Sequence, residues 1–185
     1  MLTCCRAAEH PWDRFKVDLF WRPRQLRCLI IGENPGDVES AYFYEAPGGY
    51  ANDPVVVRRY LLRGLLGQKL LISATLEGFR DAGFLIDHAI RCPLSSADVK
   101  KERNAAMRFA SSRVQRSAHL LAPLSQPPIV WVMGHLANNA MEQRTMARNL
   151  RGFRTVRSDK RCLLTKWPNS PFHLNTACQG VSKYL

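Results

Sequence analysis

The sequence predicts a three-layer α/β/α domain built around a central four-stranded parallel sheet. Three observations predict it. First, short apolar runs end at glycine or proline, as strands buried on both faces do. Second, amphipathic segments lie between those runs, so strands alternate with helices. Third, 185 residues suit one domain, which is read as spanning 1–185.

The elements follow in order. Arg27-Cys28-Leu29-Ile30-Ile31-Gly32 reads as the first strand. Asp53 and Pro54 read as an N-cap and first helical position for an amphipathic helix from Val55 to Leu66, closed near Gly67. Ser73 to Ala82 forms a second helix stopped by Gly83, and Phe84 to Ile90 a second strand broken by Pro93. Ser96 to Leu121 is a long helix with a basic face. Pro128 to Met133 is the third strand, ending at Gly134, and His135 to Leu150 is helical. Arg161 to Lys166 is the fourth strand, broken by Pro168, and Ser170 to Leu185 carries a last helix.

Composition narrows the function. Lys and Arg number 27 against 15 Asp and Glu, a net charge of +12 that calls for a polyanionic partner, most often nucleic acid. The 46% hydrophobic content excludes a disordered basic tail. No run of 18 apolar residues exists, so no membrane span is expected. Met1 to Pro11 lacks an apolar core of signal-peptide length, which points to the cytoplasm and to reduced thiols. The six cysteines form no CxxC pair, so neither a metal site nor a cofactor is expected. No oligomerisation signal is visible, and a monomer is expected.

In open parallel sheets the ligand site lies beyond the carboxyl ends of the strands. Two strand-tip segments stand out. Gly32-Glu33-Asn34-Pro35-Gly36 follows the first strand, where its glycines and proline favour a tight turn that lets a ligand approach the backbone. Trp167-Pro168-Asn169-Ser170-Pro171-Phe172-His173-Leu174 follows the last strand. There Asn169 and Ser170 are good N-caps and Pro171 suits the first helical turn, whose N–H groups can meet a phosphate.

Together these segments resemble the uracil-DNA glycosylase superfamily, over Leu29 to Leu185. Members carry a first motif of the type G-[QEMI]-[DNA]-P-G and a second of the type H-P-S-P or N-P-S-G. The first motif matches well. The second is degraded and can be aligned either through Pro168 or through Ser170-Pro171. The resemblance implies a water-orienting role for Asn34 and an assisting role for Glu33. It places a stacking aromatic in the loop holding Tyr42, Phe43, Tyr44 and Tyr50, with Tyr44 favoured. Iron–sulfur members need four cysteines, and only Cys92 falls near such a position.

The residue types suit that chemistry. Breaking an N-glycosidic bond builds oxocarbenium character on the sugar and negative charge on the departing base. An amide such as Asn34 can orient a water, and Glu33 can assist electrostatically or as a base. A lyase needs an amine nucleophile, and Lys166 is the only lysine near a strand tip, so a monofunctional enzyme is expected. The target base must leave the stack.

One departure bears on the base. Where members place a uracil-reading Asn, four residues before a strand-end Cys, this chain has His88, with Asp87 beside it. A carboxylate accepts from an exocyclic amine, and His donates or accepts by tautomer. A modified cytosine-type base, as in phage DNA, therefore joins uracil as a candidate. Gly32, Tyr44, Asp87 and His88 form the expected base pocket. Asn169, Ser170 and His173, with Lys166 and Arg154, form the expected DNA-facing side, where His173 stands about one helical turn past Ser170. Basic residues such as Arg58, Arg59 and Arg63 read as backbone-facing or solvated charges. The degraded second motif also fits a non-catalytic DNA-binding module on the same fold.

Overall fold

Cys28-Leu29-Ile30-Ile31 is apolar without alternation, which only a strand covered on both faces tolerates. In the computed structural model Cys28–Gly32 is strand β1, and all five residues are buried. The structure describes residues 14–32, 42–44, 56–88, 128–133, 154–155, 157–158, 161–162, 171–183 and 185. Ahead of β1 comes a short helix α1, Val17–Phe20. After it come α2 (Val56–Gly67), α3 (Leu76–Asp81), β2 (Phe84–His88) and β3 (Ile129–Val132). The two-residue strands β4 (Arg154–Thr155), β5 (Arg157–Ser158) and β6 (Arg161–Cys162) and the helix α4 (Pro171–Ser182) complete the order.

The described residues form a small parallel sheet with helices, an α/β arrangement. β1 is central, with β2 parallel on one side and β3 parallel on the other. Cys28 pairs with Phe84 and Ile129, and Gly32 with His88, so the three strands start level. Arg154–Thr155 lies parallel along Ile129 and Val130, on the outer side of β3. The strand expected over Arg161–Lys166 differs from this. Its described part, Arg161–Cys162, pairs antiparallel with Arg157–Ser158, apart from the main sheet. A two-residue reversal between close basic segments is a local contact and needs no apolar run, so periodicity does not reveal it.

Helix boundaries have local causes. Residues Leu61, Leu62 and Leu65 of α2 face inward, and α2 packs against α4, where Ala177, Cys178 and Val181 are buried. The helix ends at Gly67, where its stop is expected, and the turn that closes it follows. Lys69 takes the left-handed turn (φ 59°), with Lys69 N–H donating to Leu66 O and Leu70 N–H to Leu65 O, at 2.9 and 3.0 Å. That pair of bonds is the Schellman closure. Helix α3 starts at Leu76 rather than Ser73. Thr75, in extended backbone, accepts the Gly78 N–H at 3.0 Å through its hydroxyl and so caps the helix. Gly83 ends it with φ 86°, and its carbonyl then accepts the N–H groups of Arg27 and Cys28 at the entrance to β1. A side chain at Gly83 would collide with the Gln25 carbonyl at 2.7 Å.

The helices expected over 96–121 and 135–150 lie outside the described residues. So do Cys92 and His135. Among the described residues no helix is long and apolar enough to cross a membrane.

Candidate functional site at the strand tips

β2 is the outer strand of the described sheet, so its alternate N–H and C=O groups point away from β1. Those of Ile86 meet the Tyr44 hydroxyl. It donates to Ile86 O at 3.0 Å and accepts from Ile86 N–H at 2.8 Å. Two residues on, His88 N–H has the same parity and donates to Asp87 Oδ1 at 2.7 Å. Side chains thus complete the ladder along the tip of β2.

Alternation sends the side chains of Phe84, Ile86 and His88 to one face and that of Asp87 to the other. The first face is aromatic. Phe79 of α3 packs on Phe84 at 5.3 Å between ring centroids, and on Phe43 at 5.2 Å. The Tyr42 ring lies 6.0 Å from the His88 ring and 5.0 Å from Phe15. Tyr44 stacks on Trp21 at 6.1 Å. Both Asp87 and His88 are buried. The segment Tyr42-Phe43-Tyr44 therefore covers one face of β2 right up to its carboxyl end.

A buried cation holds this cover down. Arg58 is only 1% exposed, and its Nη1 donates to Phe43 O at 2.8 Å and to Tyr42 O at 3.4 Å. The expectation of a solvated or backbone-facing Arg58 is corrected by this placement. Its neighbours differ: Arg63 is exposed, and Arg59 is half-buried with its guanidinium 4.9 Å over the Tyr60 ring. The signal for Arg58 lies in its position. It stands three, four and seven residues before Leu61, Leu62 and Leu65, on the stripe that faces inward.

Of the expected base pocket, the structure brings Gly32, Tyr44, Asp87 and His88 to one end of the sheet. Gly32 is paired with His88 in register. Tyr44 braces the scaffold through its hydroxyl, and Tyr42 is the ring set against His88. Glu33, Asn34, Tyr50, Lys166, Asn169 and Ser170 lie outside the described residues. Arg154 falls in β4, beside β3, and His173 in the first turn of α4. Among the described residues, no group of three His, Cys, Asp or Glu side chains is placed to hold a metal ion. No protein-family model, curated protein or solved structure matches the chain.

Proposed function

We propose that the protein is a monofunctional DNA glycosylase on a three-layer, four-stranded uracil-DNA glycosylase-like fold. It hydrolyses the N-glycosidic bond of a flipped-out pyrimidine, either uracil or a modified cytosine-type base. The observation that carries the reading is the pairing of Gly32 with His88. Gly32 is the first residue of the Gly-Glu-Asn-Pro-Gly sequence, and the pairing sets Gly32 beside His88, whose ring lies 6.0 Å from that of Tyr42. A pyrimidine needs donors, acceptors and a flat apolar face, the properties that an imidazole, a carboxylate and an aromatic ring supply.

In this mechanism Asn34 orients a water toward C1′ and Glu33 offsets the positive charge that grows on the sugar. The C1′–N bond breaks, its electron pair leaves with the base, and the water oxygen bonds C1′. One proton of the water passes to the base, directly or through solvent, and the other stays on the new C1′ hydroxyl of the abasic site. His88 reads the base edge and Tyr42 lies against its ring. The Asp87 carboxylate, which accepts the His88 N–H, is the group type that accepts from an exocyclic amine. The +12 charge supplies sequence-independent affinity for the phosphate backbone.

A panel of oligonucleotides carrying uracil, thymine mispairs, hypoxanthine or modified cytosines, followed by alkaline cleavage, tests the reading. Strand breaks at a pyrimidine are expected, and they should vanish in the Glu33→Ala/Asn34→Ala double variant. No breaks on any substrate would overturn the enzyme. Tight duplex binding without breaks would assign a non-catalytic DNA-binding module instead. Breaks that survive the double variant would overturn the site.

A further inference from the structure

A cavity of about 790 Å³ opens at the other end of the sheet from Gly32 and His88. Arg27 and Gly83 line it, and they immediately precede β1 and β2. Five strand residues at about 3.3 Å each put it roughly 16 Å from the tips at Gly32 and His88. It is therefore separate from the site described above. Its volume falls in the range of small-molecule sites, about 300–1,000 Å³.

Four arginines line this cavity, Arg22, Arg24, Arg27 and Arg80, against one carboxylate, Asp81. Structural bonds fix three of the guanidiniums. Arg80 bridges α3 and α1, with Nε on Asp81 Oδ1 at 2.7 Å and Nη1 on Phe20 O at 3.1 Å. Arg27 donates to Leu185 O at 3.1 Å, and Arg22 pairs with Asp18 at 3.2 Å. Each guanidinium has five N–H donors, so these bonds orient the forks and leave most donors available. Arg24 is exposed and makes no hydrogen bond among the described residues. Its field helps to hold the Asp81 carboxyl below its ordinary range, behind the larger effect of the Arg80 hydrogen bond.

Two apolar side chains join the arginines. Leu19 and Phe20 are 71% and 52% exposed, and both line the cavity. Oriented guanidiniums match the oxygens of phosphate, and a bare phosphate has no use for an exposed phenyl ring. A flat ring joined to several phosphates uses both.

We propose that this cavity binds a nucleoside polyphosphate, with the phosphates on the arginines and the base against Phe20. The several phosphates come either from a free nucleotide or from the 5′-phosphate and first internucleotide linkages of a strand end. The inference does not depend on glycosylase activity.

Calorimetric titration with ATP, inorganic tripolyphosphate and a 5′-phosphorylated oligothymidylate tests it. Arg24→Glu is expected to weaken ATP and tripolyphosphate about tenfold, the loss of one charge-assisted contact. Phe20→Ser is expected to weaken ATP several-fold and leave tripolyphosphate unchanged. Both side chains are surface-exposed, and an unaltered thermal midpoint confirms that the variants fold. Arg24→Ala, with an intermediate loss, separates a missing contact from a reversed charge. Displacement of ATP by the oligonucleotide identifies a strand end as the source, and its failure to displace ATP identifies a free nucleotide. An absence of ATP binding at about 1 mM, roughly 4 kcal/mol, would overturn the proposal. So would ATP affinity unchanged in Arg24→Glu, or Phe20-dependent capture by phosphatidylglycerol vesicles without ATP binding. Strand breaks on the oligonucleotide panel should be the same in Arg24→Glu as in the unaltered protein, so the two sites fail or stand separately.

Discussion

Arg58 is the residue on which the candidate site leans. It is buried, it donates to two backbone carbonyls of the aromatic cover, and no apolar side chain can replace those bonds. Arg58→Met keeps much of the volume but leaves the Phe43 and Tyr42 carbonyls without their donor. A loss of about 2–3 kcal/mol in urea unfolding is expected, the cost of breaking buried charge-assisted bonds. If the cover positions Tyr42 against a bound base, cleavage by the folded variant falls as well. Little of this was legible in the chain. An arginine on an amphipathic helix ordinarily reads as solvated, and the decisive partners are 15 and 16 residues away in a loop with no periodic pattern. Tyr44 has the same history. Its place in the loop is readable, whereas its hydroxyl's two bonds to Ile86 depend on how the loop folds back over β2.

Among the elements, the three long strands were the most readable. Cys28–Gly32, Phe84–His88 and Ile129–Val132 lie within the apolar runs expected of them, because a parallel strand covered on both faces admits little else. Helix ends were harder. The end of α2 depends on Lys69, a residue with a side chain in a conformation that favours glycine. Lys69→Gly removes that strain, and a gain of about 0.5–1 kcal/mol in urea unfolding is expected. α1 spans only four residues after a left-handed Lys16, too short for a period, and the paired dipeptides of β5 and β6 are shorter still.

Across the whole molecule, the buried thiols set an alkaline limit. Burial pushes Cys178 from its ordinary 9.0 up to about 12. Cys28 moves in the same direction, chiefly through burial and next through the nearby Cys178. The folded protein therefore holds these protons at a pH where the unfolded chain releases them. The stability they contribute is complete below about pH 9 and falls as pH rises from there toward 12, by up to about 1.4 kcal/mol per unit for each thiol. Urea midpoints measured from pH 7 to 10.5 should decline above pH 9, and less steeply in Cys178→Ala. The alkaline slope is a property of two helix and strand residues brought together by the packing of the core, and neither cysteine signals it alone.

The Tyr44 hydroxyl has a further consequence. An outer strand with open N–H and C=O groups is a template on which another chain can lengthen the sheet. Along β2 the Ile86 groups are filled by one phenol, and the His88 N–H by the neighbouring carboxylate. An incoming strand would have to displace a buried side chain to find its hydrogen bonds. The residues that finish the strand tip therefore also act as a stopper against strand addition, and this border of the sheet is turned inward to its own chain.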